Sequence, residues 1–212
     1  MPRHLLPLLL LVALGNFGCS KRQYQPATFK LPPAGADTGS NLKIGDRFPE
    51  VESIDLDGNP VTLDTELLGE RYTLIVFWST WCGWCMRELP HEIELANEFK
   101  DEGFRVIGIN ADSAIELGKQ ASIEHQIPWM NLYEGEERHV STLLGVSSWP
   151  QLFLLDDRGV VVSSSTQLRR HGFMFVNKDG DTRKVHALDW TLYNLIRGSA
   201  GATLYPEHSD GE

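Results

Sequence analysis

An unbroken apolar run that leads into a pair of cysteines constrains the fold of this chain more than any other feature. The run is RYTLIVFW, residues 71–78, and its β-branched and aromatic side chains are typical of a strand buried on both faces of a sheet. Cys82 and Cys85 follow within STWCGWC. Apolar residues then recur at steps of three and four: Met86, Leu89, Ile93, Ala96 and Phe99. This spacing predicts a helix over about residues 83–100, which Pro90 should kink.

The rest of the chain alternates between strand and helix patterns. Alternating apolar residues between Val51 and Leu63, with a turn at DLDGN, predict a hairpin followed by a short helix. The later predicted elements are a strand at FRVIGIN, a helix at SAIELGKQASIEHQ, a strand at WMNLY, a helix at EERHVSTLLG, strands at QLFLL and VVVSSS, and a terminal helix at LDWTLYNLIRG. This order indicates an α/β fold whose central mixed sheet is flanked by helices, parallel in its first half and antiparallel at its C-terminal edge. The terminal helix should cover that edge.

The N-terminus has the pattern of an export signal, and we predict a signal peptide over residues 1–19. MPRH carries a positive charge, and LLPLLLLVALG supplies about ten apolar residues, too few to cross a bilayer core of roughly 30 Å as a helix. A cysteine after Gly18 at the end of this stretch resembles the lipobox of bacterial lipoproteins, which implies acylation of Cys19. The alternative is an ordinary signal peptide that is removed together with Cys19.

Composition divides the remainder of the chain. Residues 20–42 are rich in Pro, Gly, Ser, Thr and Ala and lack apolar periodicity, so we predict a flexible linker there. Residues 43–200 form the predicted domain, and residues 201–212 a C-terminal tail. The formal net charge of −10 argues against nucleic-acid binding, because a phosphate backbone is held mainly by clustered Lys and Arg.

Cys82 and Cys85 have three possible uses: a redox couple, half of a metal site, or a structural disulfide. A disulfide that closes so short a loop removes little chain entropy, which weakens the structural interpretation. A tetrahedral zinc site needs four ligands, and neither a second cysteine pair nor histidines at ligand spacing are present. His91 and His125 are predicted to lie on helix surfaces. We therefore predict a redox couple that uses no metal and no cofactor.

The position of the pair at a helix start assigns the two thiols different roles. The first turn of a helix offers unpaired N–H groups and the positive end of the helix dipole, which favour a thiolate. In such settings the pKa of a cysteine falls from about 8.5 into a range of roughly 3.5 to 7.5. We predict that Cys82 is the exposed attacking thiol and that Cys85, one turn further on, is the buried resolving thiol.

The motif resembles a known family. FWSTWCGWC followed by Pro90 resembles the active-site strand, redox motif and helix of thioredoxin-like proteins, and the extra strand and helix before GVSSWPQLFLLDDRG resemble the TlpA/ResA group of exported thiol-disulfide oxidoreductases. The resemblance covers most of residues 43–197. It implies a thioredoxin-like fold with an N-terminal hairpin and an inserted β-α unit. It also implies that Pro150 is a cis-proline next to the redox pair.

The same resemblance implies a function and partners. It implies a protein-disulfide oxidoreductase in the bacterial periplasm or at the outer face of a membrane, which reduces disulfides of exported proteins, with apocytochromes as possible clients. A membrane protein would return the electrons. The direction of electron flow is open, because about 30 mV shifts a two-electron couple tenfold. A disulfide oxidase or isomerase on the same fold is therefore an alternative.

The chain departs from the family at several positions. Val76 stands where thioredoxins carry a buried acid that moves the proton of the resolving thiol. Asp112 is a candidate replacement, although a helix N-cap role is the preferred interpretation. Gly83 and Trp84 stand between the cysteines where thioredoxins have Gly-Pro, and Trp149 precedes the predicted cis-proline.

These departures predict an aromatic rim around Cys82 that binds substrate. We expect Trp81, Trp84 and Trp149, together with Gly83 and Pro150, to contact apolar peptide segments. The alternative is that Trp78 and Trp81 lie partly in the core and that only Trp84 is exposed.

Two further function classes remain open. Ser79, three residues before Cys82, matches part of a peroxiredoxin signature, but Ile75 stands where that signature has proline. A peroxiredoxin-like peroxidase is therefore a rival enzyme class. A redox-inert binding lipoprotein that has kept the scaffold is the other, and the intact cysteine pair argues against it.

Overall fold

The computed structural model of the protein describes residues 33–168, 173–176 and 182–198. The predicted signal peptide with Cys19, the first part of the linker and the C-terminal tail lie outside these residues. Within the described ranges, no helix combines the length and the apolar character that crossing a membrane requires.

The described residues alternate between strands and helices, largely in the order that the patterns predict. The strands are β1 (Val51–Asp55), β2 (Pro60–Leu63), β3 (Tyr72–Trp78), β4 (Phe104–Asn110), β5 (Met130–Tyr133), β6 (Gln151–Asp156), β7 (Val161–Ser164), β8 (Phe173–Val176) and β9 (Thr182–Val185). The helices are α1 (Gly83–Phe99), α2 (Ile115–Glu124), α3 (His139–Leu144), α4 (Ser165–Leu168) and α5 (Ala187–Arg197). A 3₁₀ turn at Lys100–Glu102 extends α1.

Seven of the strands form one mixed sheet in the order β2-β1-β5-β4-β3-β6-β7. The pairs β3/β4 and β4/β5 are parallel, and β6 and β7 continue the sheet in antiparallel fashion, as predicted. Strand β1 pairs antiparallel with both β2 and β5, so the prediction that the first half of the sheet is parallel is wrong for the N-terminal hairpin. The thioredoxin-like α/β architecture, with an N-terminal hairpin and a mixed central sheet, is thereby confirmed. Strands β8 and β9 form a separate hairpin that the patterns did not predict.

Strand β3 supplies the centre of both apolar layers, because its side chains alternate between the two faces of the sheet. Leu74 and Val76 belong to the cluster that includes residues of α1 and α5. Ile75 and Phe77 belong to the opposite cluster, which includes residues of α3. Each of these four side chains is at most 2% exposed. Burial on both faces explains the unbroken apolar run.

The short helix predicted after the hairpin is not formed. Residues 64–71 make turns instead. The Asp64 carboxylate accepts the N–H groups of Glu66 (2.8 Å) and Leu67 (3.4 Å), and the Gly69 N–H donates to the Thr73 hydroxyl (2.7 Å). These local side-chain bonds offer the backbone an alternative to a helix.

Part of the predicted linker is packed against the domain. Thr38 is fully buried, and its carbonyl accepts a hydrogen bond of 3.1 Å from the Gln151 side chain. The Asn41 N–H donates to the carbonyl of Leu144, at the end of α3, over 2.8 Å. Composition did not reveal these contacts, because the segment has few apolar residues and its backbone makes most of the bonds.

The terminal helix α5 packs beside α1, on one face of the sheet, and not only at the sheet edge as predicted. The Arg197 guanidinium lies 4.5 Å from the Phe99 ring and bonds to Glu98 (2.8 Å) and Glu102 (2.5 Å for the shortest contact). The Tyr193 hydroxyl donates to Glu98. Burial and the Glu98 carboxylate raise the pKa of Tyr193, so this hydroxyl keeps its proton. The network fixes α5 to the helix that carries the cysteines.

His91 is part of the same interface and is not a free helix-surface residue, which corrects the sequence-based prediction. Its Nε2 lies 2.5 Å from the buried carboxylate of Asp189, and its ring stacks on His186 at 4.7 Å. Burial alone would lower the pKa of His91, but the hydrogen bond and charge of Asp189, with the charges of Glu94 and Glu88, raise it. His125, by contrast, is exposed at the end of α2, as predicted.

The raised pKa of His91 predicts a pH-dependent contribution to stability. A histidine whose folded pKa exceeds its ordinary value of 6.5 stabilises the fold fully below that pH, and the contribution is lost as the pH rises through the folded pKa. We expect the free energy of unfolding of the wild type to exceed that of His91→Gln by more at pH 5.5 than at pH 8.5. Urea denaturation at both pH values measures the difference. The same difference at both pH values would contradict the assignment.

Candidate active site

The two cysteines form a disulfide at the start of α1. The S–S distance is 2.08 Å, and the Cα atoms are 5.2 Å apart. Cys82 is the N-cap residue of α1 with an extended backbone (φ −85°, ψ 96°), and its sulfur accepts the N–H of Cys85 over 3.1 Å. This N–H of the first helical turn has no acceptor within the helix and donates to the Cys82 sulfur, which is the arrangement that favours a thiolate.

Both cysteines are buried in this oxidised state. Cys82 is 6% exposed and Cys85 4% exposed, so the prediction that Cys82 is the exposed member of the pair is wrong for the disulfide form. The cause is that both residues belong to the apolar cluster on the α1 face of the sheet, against which Trp149 also packs. Position in the helix, and not exposure, distinguishes the two sulfurs.

The peptide bond between Trp149 and Pro150 is cis, as the family resemblance implies. The next residue, Gln151, begins β6 and pairs with Phe77 of β3 in antiparallel register. The cis bond therefore lies near the C-terminal end of β3, the end at which the chain continues toward Cys82.

The three rim tryptophans occupy different environments. Trp81 and Trp84 are 52% and 53% exposed, and Trp149 is half-buried. The rings of Trp81 and Trp149 meet edge to face, with centroids 5.6 Å apart. Trp78 lies in the core, and its Nε1 donates to Asn131 over 2.8 Å. At least two tryptophans thus reach the surface beside the disulfide, and the alternative in which only Trp84 is exposed does not hold.

Two arginines at this surface were missed by the sequence analysis. Arg138 lies 5.3 Å from the ring of Trp81 and 4.9 Å from that of Trp149, and Arg87 lies 4.5 Å from the ring of Trp84. The Trp84–Arg87 contact follows the i, i+3 spacing of a helix and could have been predicted. The contacts of Arg138 could not, because it is far from both tryptophans in the chain.

Asp112 is fully buried and holds the loop before Cys82, which corrects its preferred N-cap interpretation. Helix α2 begins with Ala114 as its N-cap, without a capping side chain. The Asp112 carboxylate instead accepts the Thr80 N–H (3.0 and 3.2 Å), the Thr80 hydroxyl (2.7 Å) and the Asn110 side-chain amide (2.8 Å). A proton-transfer role for Asp112 stays a prediction.

Val76 is 2% exposed in the core, so the site lacks the buried acid of thioredoxins at that position. Gly83, the first residue of α1, is exposed, and a Cβ added to it would meet nothing within 4 Å. Space beside the disulfide is therefore open at Gly83. Within the described ranges, no group of three or more His, Cys, Asp or Glu side chains is arranged to hold a metal ion.

The chain is similar in sequence to proteins named as thiol-disulfide oxidoreductases. The thiol-disulfide oxidoreductase ResA of Bacillus thuringiensis (strain Al Hakam) is 29% identical over 121 residues, which cover 57% of this chain and 68% of that protein. The protein of the same name from Bacillus subtilis (strain 168) is 25% identical over 146 residues, 67% of this chain and 80% of its own length. Both are named for the chemistry that the cysteine pair predicts.

Solved structures agree with the fold. A thiol:disulfide interchange protein from Bacteroides sp. superposes with a TM-score of 0.59 at 28% identity, covering 75% of this chain and 93% of its own. The AhpC/TSA family model matches residues 44–164, from the segment before β1 to the end of β7, and so includes the disulfide and the cis-proline. A match over more than half of the sequence, with the expected fold around the redox pair, establishes that this chain belongs to the AhpC/TSA family.

Proposed function

We propose that this thiol-disulfide oxidoreductase reduces disulfides of exported proteins, with Cys82 as the attacking thiol and Cys85 as the resolving thiol. The observation that carries the proposal is the disulfide at the first turn of α1, one strand away from the cis-proline bond. The relatives named thiol-disulfide oxidoreductases support the same class of activity.

The first half of the reaction starts from the reduced protein. The Cys82 thiolate attacks one sulfur of the substrate disulfide, an S–S bond forms between Cys82 and the substrate, and the other substrate sulfur leaves as a thiolate that takes up a proton. The helix N-terminus favours the attacking thiolate, and the Cys85 N–H already donates to that sulfur in the oxidised state.

The second half releases the substrate. The Cys85 thiolate attacks the Cys82 sulfur, the substrate's second sulfur leaves and is protonated, and two electrons have moved from the protein to the substrate. The product is the Cys82–Cys85 disulfide that the structure contains. A membrane electron donor must then return two electrons and two protons before the next cycle.

The surface around the disulfide supplies the proposed substrate contacts. Trp81 and Trp84 each expose about half of their surface, and Trp149 packs against Trp81. Large aromatic faces bind apolar peptide segments with little loss of side-chain entropy. Gly83 leaves room for a substrate backbone, and Pro150, which lacks an N–H, leaves its neighbours free to pair with it.

The location and clients follow from the N-terminal sequence and the family resemblance. The signal-like residues 1–19 support export, and acylation of Cys19 would tether the domain to the outer face of a bacterial membrane. In that compartment, unfolded exported proteins such as apocytochromes are the proposed clients. The membrane donor would carry its electrons across from the cytoplasm.

Measurement of the reduction potential tests the direction of electron flow. We expect the isolated protein, equilibrated in glutathione buffers, to give a value near the thioredoxin end of the range, about −270 mV. A value near about −120 mV would make the protein an oxidase and contradict the proposal. A variant with both Cys82→Ala and Cys85→Ala is the control, because it has no couple to titrate.

Two activity assays separate the rival classes. Faster consumption of hydrogen peroxide than of protein disulfides would favour the peroxidase, in which Ser79 would take part. Ser79 is fully buried in the loop before Cys82. Failure to exchange with any disulfide would favour a redox-inert binding lipoprotein.

A further inference from the structure

The guanidinium of Arg138 sits over two aromatic rings at the redox site. Its distances to the ring centroids are 5.3 Å for Trp81 and 4.9 Å for Trp149. Trp81 immediately precedes Cys82 in the chain, and Trp149 immediately precedes the cis-proline. One positive charge therefore lies beside both tryptophans, next to the surface that an incoming disulfide must reach.

The hydrogen-bond donors of this guanidinium are unused. Within the described residues this guanidinium lies over the two rings and forms neither a salt bridge nor a side-chain hydrogen bond, although its charge acts on the buried Glu134 carboxylate, whose pKa it lowers against the larger effect of burial. Four other arginine side chains donate to carbonyls or carboxylates: Arg71, Arg105, Arg158 and Arg197. A guanidinium has five N–H donors in a planar fork that matches a carboxylate, and stacking on rings leaves the donors at its edge free.

The backbone holds Arg138 firmly in place. Its conformation is left-handed (φ 47°, ψ 48°), its N–H donates to the Gly135 carbonyl, and its own carbonyl accepts the Thr142 N–H over 2.7 Å. Buried Glu134 accepts both the N–H (2.7 Å) and the hydroxyl (2.6 Å) of Ser141, which ties the end of β5 to α3. The turn that carries Arg138 is thus bonded on both sides.

The charge of Arg138 contrasts with that of the chain, whose formal net charge is −10. The neighbouring Glu136 and Glu137 are exposed to solvent and, in the described structure, form no ion pair with Arg138. Arg87 stacks on Trp84 in the same way, so a second cation lies on a second exposed rim tryptophan. Two arginine side chains therefore lie on the tryptophan rings beside the disulfide in a protein whose net charge is negative.

We propose that Arg138 is a specificity-determining residue that selects substrate segments with an Asp or Glu side chain next to the reacting cysteine. The aromatic rings bind the segment, and the free edge of the guanidinium donates to its carboxylate. The inference rests on the proposed function, because it concerns the substrate of the same thiol exchange. The occupant is an unfolded protein segment, and its carboxylate is the feature that is recognised.

Two matched peptides test the proposal. They share one sequence with an intramolecular disulfide and differ only in Glu or Gln beside the first cysteine. With the reduced wild-type protein, we expect kcat/KM to be about fivefold higher for the Glu peptide, which corresponds to about 1 kcal/mol, the upper end for an exposed ion pair. In Arg138→Gln the ratio should fall to about one.

The control variant is Arg158→Gln, which makes the same change in net charge in the turn between β6 and β7, where Arg158 bonds to Asp156. In Arg158→Gln the ratio of the two kcat/KM values should stay at the wild-type value. If Arg138 had a purely structural role, Arg138→Gln would lower kcat/KM for both peptides without changing their ratio. A second measurement needs no variant: the wild-type ratio should fall toward one between 0.01 M and 1 M salt, because the screening length shrinks from about 30 Å to about 3 Å.

The outcomes separate the role of Arg138 from the thiol exchange itself. Reduction of neither peptide would refute the proposed function. Equal reduction of both by the wild type, or an unchanged ratio in Arg138→Gln, would refute the role of Arg138 and leave the thiol exchange intact.

Discussion

A Cys85→Ala variant is expected to accumulate stable mixed disulfides between Cys82 and its substrates. Without the resolving thiol, the adduct formed in the first half of the reaction has no intramolecular route to release, so turnover should be lost while the first attack persists. Cys82 keeps its place at the N-cap of α1, and the backbone N–H of residue 85 that donates to its sulfur is retained in the variant. Mass spectrometry of the purified variant after exposure to a disulfide peptide measures the adduct directly.

The converse variant is the control. Cys82→Ala leaves Cys85 within the first turn of α1, away from the N-cap position at which a sulfur accepts a helix N–H, so we expect neither adduct nor turnover. An adduct on Cys85 in that variant, or the absence of an adduct on Cys82 in Cys85→Ala, would reverse or remove the roles assigned to the two sulfurs.

Replacing Asp112 with alanine is expected to cause a large loss of stability at the site. The carboxylate accepts from the buried Asn110 amide and from the partly buried N–H and hydroxyl of Thr80. A buried donor left without an acceptor costs about 1 to 3 kcal/mol, and a partly buried one lies at the lower end because water can replace its partner. We expect the free energy of unfolding to fall by about 3 kcal/mol in total. Thr80→Val removes the hydroxyl and keeps the N–H bond, so it should cost only about 1 kcal/mol.

Urea denaturation of the oxidised protein measures both losses, and Asp157→Ala is the matched control. Asp157 is exposed in the turn after β6, so its replacement should change stability by no more than about 0.5 kcal/mol. A loss in Asp112→Ala as small as that of the control would mean that the Thr80 loop is held by other contacts. The rate at which reduced Cys82 is alkylated should also change in Asp112→Ala, because Thr80 begins the turn that leads to Cys82.

Sequence patterns predicted the strands and helices that form because of the residues within them. Burial of β3 and β4 on both faces produces apolar runs, and the predicted strand at FRVIGIN coincides with β4. The start of α1 coincides with the predicted start, because apolar spacing and the motif both mark it. The absence of the helix predicted after β2 also has a local cause. The Asp64 carboxylate accepts a backbone N–H in place of a helical hydrogen bond, and hydrophobic periodicity does not report such a bond.

Contacts between distant residues could not be predicted in this way. Asp112 meets Thr80 across 32 positions of the chain, and His91 meets Asp189 across 98. Arg138 reaches its two tryptophans only because β5 and α3 place the turn beside the loop after β3. For the cysteine pair, the sequence predicted the chemistry and the helix position correctly, whereas burial of Cys82 depends on packing against the cluster that includes Trp149.

The burial of the oxidised disulfide has a consequence for its exchange with small molecules in solution. Small thiols and oxidants in solution exchange only with sulfurs that they can touch, and Cys82 is 6% exposed, next to a tryptophan pair in direct contact. We therefore expect small thiols such as glutathione to exchange with the disulfide slowly, so the reduction potential must be read after long equilibration. We expect partner proteins, and not small thiols, to set the redox state of the couple on the timescale of turnover.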